Sequence, residues 1–474
     1  LVKLSVGARD RLAFLLVEDI TGRAGRAPHN RVAVDLDAAV FGSAFSLRGT
    51  AAPGDPEEWF ALDVTAPFFA YSELADLARL CSGATLQKAD SLPLGTGRLE
   101  ARIAGTPQAP HIAGAASLRD FDTRFVFENR VLTLTEIRAG AGAHKLSGGA
   151  TLDLADPALA YLLELEFQGL DLADMQSPAP GFQIAPAGKA GGMLRISGAL
   201  AGEAGPDVGG RLEVRDGHLR FPLLRIGPGP FPFGNTAALP FDRLSADITA
   251  RGDSVILEDL HIAGPGYTMN GHATAHAAPS GLQGFEEPFA YSLDLGIDAP
   301  DLADALAEIR AWQGLGHGAL KGDLHMEGDL GRAGAAAGTA RVTLSHGSVF
   351  NPYFVPGRGW GSSSAEMSFD RLTAHLRLEN RVLYVSGSLS DNGLEMTWDG
   401  RADPNDGDIL FTGRVDAATD AARRFMGLAP YVQPEPAGAL TNYEATVRVS
   451  GTLNAPVTNW SRPRATRWNT GAPE

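Results

Sequence analysis

The 474-residue chain holds one cysteine, five lysines and no long apolar run. Cys81, being alone, excludes an intrachain disulfide and any multi-cysteine metal site, and leaves the redox compartment open. With so few lysines, nearly all the positive charge is arginine. Lys plus Arg is 40 against 56 for Asp plus Glu, a formal net charge of −16. No basic run interrupts that balance. A nucleic-acid binder needs a cationic surface to displace counterions, so nucleic acid is not an expected partner. The most apolar early stretch, Leu12 to Val17, lies between Arg11 and Glu18 and is six residues long. A spanning helix takes about 20 apolar residues and a signal sequence about 7–15. The chain opens on Leu1 and closes on an Arg- and Pro-rich stretch, so it is read as a piece of a longer protein, with any membrane anchor elsewhere. Catalytic signatures are missing too. There is no Gly-x-Ser-x-Gly elbow and no Gly-x-x-x-x-Gly-Lys loop, so neither an enzyme nor a cofactor or metal site is expected.

What is abundant is apolar side chain and turn residue. Hydrophobic residues are 44% of the chain, enough for a sizeable core, and 57 glycines with 30 prolines imply many turns. The chain also repeats itself. Leu-Ala-Asp stands at 74–76, 172–174 and 302–304, with the degenerate Ala-Thr-Asp at 418–420. A glycine closing an alternating run recurs at Gly105, Gly198, Gly328 and Gly451. Glu-Asn-Arg-Val-Leu occupies 128–132 and 379–383, and Phe-Asp-Arg-Leu occupies 241–244 and 369–372. These markers define repeats over 1–80, 97–175, 191–306 and 318–428, with the start of a truncated one over 438–474. The joints between them are short and rich in Gly, Pro and Ala, as turns are.

Inside a repeat the period is two. Tyr161, Leu163, Leu165 and Phe167 fall on one face, and Glu164 and Glu166 on the other. The stretches 291–297, 372–378 and 394–398 alternate alike, which makes strands with one apolar and one wet face. Short connections make them antiparallel, about six strands to a repeat. A short helix is expected to close each repeat. The clearest is 301–312, opened by Pro300 and Asp301 with an apolar stripe of Leu302, Leu306 and Ile309. Its counterparts are 71–81, 170–175 and 416–427. The expected fold is therefore mainly β: an elongated, repeating antiparallel sheet forming an open groove, with one short capping helix per repeat.

The stretches 97–110, 194–198 with 210–219, and 447–456 share a texture. Each has an alternating strand, then Ser/Ala-Gly-Thr or a close variant, then a second strand or a Pro/Gly stretch. This texture resembles the AsmA-like superfamily, which includes TamB-type proteins and AsmA-like C-terminal regions. The resemblance implies a β-groove lined with apolar side chains in the periplasm of a double-membraned bacterium. It implies conduction of phospholipid between inner and outer membranes, with partner proteins at one or both. A non-enzymatic scaffold that helps outer-membrane proteins assemble is the alternative. Physics agrees with the first reading: a sheet with one apolar face must bury it, and short helices once per repeat cannot cover six strands. The expected lining is Leu163, Leu165, Phe167, Leu293, Leu295, Leu376, Leu378, Met396 and Phe411.

Other constellations have plainer explanations. His272 and His276 sit in an alternating stretch and are expected to face solvent from a strand rather than to bind metal. Asp298, Asp301 and Asp304 are expected to cap a helix rather than to hold Ca²⁺. Two Pro/Gly/aromatic insertions, 221–234 and 351–361, occupy equivalent places in consecutive repeats. They are expected as surface loops, or as a flap in which Phe231, Phe233, Tyr353 and Trp360 close over the groove mouth.

Overall fold

A computed structural model describes residues 2–8, 11–29, 31–40, 43–70, 96–118, 121–140, 145–172, 187–200, 205–220, 238–276, 290–307, 316–329, 336–355, 359–403, 407–424, 441–452 and 455–467. Phe231, Phe233, Cys81 and the expected helix at 71–81 lie outside them. The chain forms two compact units. One comprises Leu1–Leu170, Ala190–Arg211 and Ala250–Gly252; the other comprises Asp171–Lys189, Leu212–Thr249 and Asp253–Glu474.

The first unit is an antiparallel meander. Its strands are β1 (Val2–Ala8), β2 (Arg11–Arg26), β3 (Val32–Val40), β4 (Ser43–Ala51), β5 (Phe60–Ala70), β6 (Thr96–Gly105), β7 (Pro110–Leu118), β8 (Phe121–Glu128), β9 (Val131–Ala139), β10 (Lys145–Asp153) and β11 (Ala160–Asp171). Each pairs with the next in chain order. After β12 (Ala187–Ala199), β13 (Asp207–Arg220) and β14 (Ala238–Arg251), the second unit continues in the same manner. It runs through β15 (Ser254–Gly264), β16 (Tyr267–His276), β17 (Ala290–Ala299), α1 (Leu302–Leu306), β18 (Gly316–Asp329), β19 (Ala337–Val355), β20 (Gly359–Glu379), β21 (Val382–Asp391), β22 (Leu394–Ala402), β23 (Asp408–Ala418), α2 (Thr419–Arg424), β24 (Thr441–Thr452), β25 (Ala455–Trp460) and β26 (Arg464–Arg467). Strands β15 to β25 pair in succession, and β26 pairs with the other half of β24.

The sequence markers fall at fixed places in this order. Gly105, Gly198, Gly328 and Gly451 lie in β6, β12, β18 and β24, so the glycine returns every sixth strand. At two of these positions its reason is visible. A Cβ on Gly198 would sit 2.9 Å from the Tyr161 hydroxyl, and one on Gly328 would sit 3.0 Å from the Tyr291 ring. The glycine leaves room for an aromatic ring to lie across the strand. The two Glu-Asn-Arg-Val-Leu copies are both two-residue hairpin turns, β8–β9 and β20–β21. Asn129 and Arg130 have φ 52 and 65, and Asn380 and Arg381 have φ 50 and 67. Positive φ at both central residues matches the twist of the flanking strands. In the two Phe-Asp-Arg-Leu copies, Phe241 and Phe369 are both buried.

Among the described residues helix is scarce. Helix α1 covers Leu302–Leu306 of the expected 301–312, and α2 covers Thr419–Arg424 of the expected 416–427, with 308–312 and 425–427 outside the described residues. At 170–175 a single turn residue, Leu172, follows β11, and the rest is outside. A helix for every repeat is therefore not shown. Asp301 caps α1, accepting from the Ala303 N–H at 3.0 Å, and also accepts from the Gly318 N–H at 3.2 Å. That second bond fastens the helix start to β18. These backbone donors, with His317, hold the Asp301 carboxyl below the usual range. Asp298 pairs with Lys321 at 3.3 Å.

Candidate functional site: the apolar sheet faces

Pairing register turns the period-two pattern of single strands into rows that cross many strands. In the second unit one row reads Leu260, Gly271, Leu295, Leu324, Ala340, Leu376, Val385, Gly400, Phe411 and Val449. The next row on the same face reads Leu257, Ala273, Leu293, Met326, Gly338, Leu378, Leu383, Ala402 and Ile409. On the other side of the first lie Ile262, Met269, Ile297, Gly322, Val342, Ala374, Gly387, Trp398, Gly413 and Val447. None of these positions is charged or carries a polar side chain other than the Trp398 indole. The first unit has the same construction. Gly22, Leu36, Leu47, Val64, Ala101, Gly114, Phe125, Leu134, Ala150 and Leu163 form one row. Ala24, Val34, Gly49, Leu62, Ile103, Ile112, Phe127, Leu132, Leu152 and Tyr161 form another.

The faces are covered unevenly. Near the two helices of the second unit, Ala421 and Ala422 of α2 join a core with Leu344, Phe369, Leu389, Leu394, Val415, Ala417, Tyr443 and Ala445, and Leu302 of α1 packs on it. Val415 there is fully buried. Away from the helices the same face is half-buried: Leu293, Leu324, Leu376, Leu378, Val385 and Phe411 are neither closed off nor bare. Half-burial is what neighbouring side chains on one sheet impose on each other, short of the full burial that a covering layer gives near the helices. Several rings lie flat. A Cβ on Gly400 would meet Phe411 Cδ1 at 2.3 Å, and one on Gly387 would meet Trp398 Cζ2 at 2.4 Å. Rings seated over glycines lower the relief of the face.

All nine residues expected to line a groove stand on these apolar faces. Leu295, Leu376 and Phe411 share one row, Leu293 and Leu378 share the next, and Met396 lies in a row with Leu372, Leu389 and Val415. Leu163, Leu165 and Phe167 stand on the apolar face of the first unit. Leu295, like Leu260 in the same row, is buried, at 5% exposed, whereas Leu324, Leu376, Val385 and Phe411 are half-buried. Of the residues expected in a flap, Tyr353 and Trp360 lie in β19 and β20, whose register sets Tyr353 opposite Gly361 and Phe354 opposite Trp360. The segment 351–361 is thus mostly the far end of a long hairpin rather than a loop.

The opposite faces are polar and laced with charge. Arg23, Asp35, Arg48, Asp63 and Arg102 alternate in sign across five neighbouring strands, with Arg48 and Asp35 at 3.1 Å. Cross-strand pairs of opposite sign support the sheet. Glu213 lies between Arg215 and Arg243, and those guanidiniums hold its carboxyl below the usual range. Glu164 and Glu166 are exposed, and Glu164 is 3.7 Å from Arg195. His272 is on strand β16 and pairs with Asp294 at 3.3 Å.

No family model, curated protein or solved structure matches the chain. Among the described residues no group of three or more His, Cys, Asp or Glu side chains could hold a metal ion. No described helix is long and apolar enough to cross a membrane, which says nothing of crossing by strands.

Proposed function

We propose that this chain is a bacterial envelope protein that holds phospholipid acyl chains against its apolar sheet faces and conducts them through the periplasm between inner and outer membranes. One observation carries the reading. Rows of apolar side chains cross nine or ten strands without a charge, and much of that surface is only half-buried. An acyl chain laid there gains about 0.8 kcal/mol per methylene removed from water. A charge in its path would be costly to bury, and none interrupts the rows. Flat rings over glycines suit a ligand that slides rather than locks. The resemblance to the AsmA-like superfamily points the same way and supplies the membranes and the partner proteins of this reading.

The test is extraction of the purified chain followed by mass spectrometry of the lipid that comes with it. Phospholipid is expected with the wild type and is expected to be lost from a Leu376→Asp, Leu378→Asp double variant. A folded wild-type chain that carries no lipid and takes none from vesicles would favour the assembly-scaffold alternative.

A further inference from the structure

The polar face of the second unit has a groove of its own. It encloses about 1050 Å³ and crosses the eight strands β16 to β23, about 34 Å at about 4.8 Å per strand. On seven of these strands three consecutive residues line it, for example Thr339–Arg341, His375–Arg377 and Asp399–Arg401. The outer two of each three stand on the polar face. The middle residue points to the apolar face, so alternation along the strand turns its backbone toward the floor. On β23 the lining is Leu410 and Thr412 without Phe411, which fixes the side on which the groove lies.

Charge is unevenly spread along it. At the β16–β18 end Asp294 is engaged by His272 at 3.3 Å and His325 at 2.6 Å. Asp323, opposite Arg341, also lines that end; at the β19–β22 end Arg341, Arg377 and Arg401 outnumber the one lining carboxylate, Asp399, in a chain of net charge −16. Arg377, Tyr384 and Arg401 oppose one another in one cross-strand row, and Arg341 opposes His375 in the next. The Arg377 guanidinium lies over the Tyr384 ring at 4.7 Å, with Glu379 at 3.7 Å. Arg341 donates to His375 Nδ1 at 3.4 Å. Among the described residues neither Arg341 nor Arg401 has a carboxylate partner.

We infer that this groove binds an extended acidic oligosaccharide, with its carboxylates over Arg341, Arg377 and Arg401. Guanidinium forks match planar carboxylates bidentately. An extended peptide is the poorer fit, because it binds a sheet by pairing with free backbone groups at an edge. These strands are interior, and both their ladders are taken. Only side chains remain to bond: hydroxyls and imidazoles that donate and accept, with carboxylates that accept, match the hydroxyls of a sugar chain.

Calorimetric titration of the full chain with oligogalacturonate, a maltooligosaccharide of equal length and a polyglutamate of equal charge tests this. Oligogalacturonate is expected to bind with a salt-dependent affinity, and the other two much more weakly. The Arg341→Gln, Arg401→Gln double variant is expected to lose affinity about tenfold or more. Arg414→Gln, which removes an arginine of the same face outside the groove, is expected to change nothing. Both arginines of the double variant are exposed, and a thermal melt verifies its fold; the single Arg401→Gln variant serves if it melts early. Equal binding of polyglutamate, no binding of oligogalacturonate, or undiminished binding by the folded variants would overturn the proposal.

Discussion

Leu295 and Leu376 share one cross-strand row yet differ in surroundings, so the same substitution separates them. Leu295 is buried, and a Leu295→Asp carboxylate would be trapped without a partner, costing about 3 kcal/mol or more. Leu376 is half-buried, and its aspartate can reach water, so the loss is expected to be about 1–2 kcal/mol. Urea denaturation of the two variants checks the difference; equal losses would mean that the face is closed along its whole width. Glycine gives a second contrast. Gly400→Val must displace the Phe411 ring and meets the Leu410 carbonyl at 2.5 Å, so a loss of about 1–3 kcal/mol is expected. Gly209→Ala has open space around its Cβ and should melt like the wild type. At this scale the sequence was informative about faces and silent about depth. Strict alternation puts Leu163, Leu293 and Phe411 on the apolar side whatever their partners. The depth of burial at Leu295 is set by the packing of the folded sheet, which no local period encodes. The polar groove was missed for the same reason: Arg341, Arg377 and Arg401 look unrelated until register sets them side by side.

Elements were legible where a local signal starts or stops them. The Asn-Arg turns, the glycines of every sixth strand and the Asp301 cap all sit where the chain must change direction or admit a ring. Of the expected helix 301–312 the described part is Leu302–Leu306, and 308–312 lie outside the described residues. Asp301→Ala removes the cap and the tie to Gly318, with an expected cost of about 1 kcal/mol in thermal or urea unfolding. The pH dependence follows in sign. Because the folded-state carboxyl titrates lower than in the unfolded chain, its contribution is complete above the ordinary aspartate range and disappears as pH falls through the depressed value. Asp301→Ala should therefore flatten the acid limb of the stability profile; an unchanged limb would remove Asp301 from that role. In the β8–β9 turn, Arg130 holds a φ of 65 that glycine adopts freely. Arg130→Gly is expected to leave stability equal or raise it by up to about 0.5 kcal/mol, and Arg130→Val to lower it, read by the same melts.

Across the molecule, function was less legible than fold, because nothing in the chain carries a catalytic or cofactor signature and what remains is a surface. Apolar rows on one face and paired charge on the other are properties of each unit as a whole and belong to no single motif. The central claim is that acyl chains lie on the apolar face. It is tested most directly by placing a photo-crosslinking phenylalanine analogue at Leu376, Arg377 or Leu378 in turn and illuminating the full chain with phospholipid vesicles. These three neighbours point to alternate faces of β20. Lipid adducts at Leu376 and Leu378 with none at Arg377 are the predicted result. Adducts of equal yield at all three positions, or at none, would contradict it.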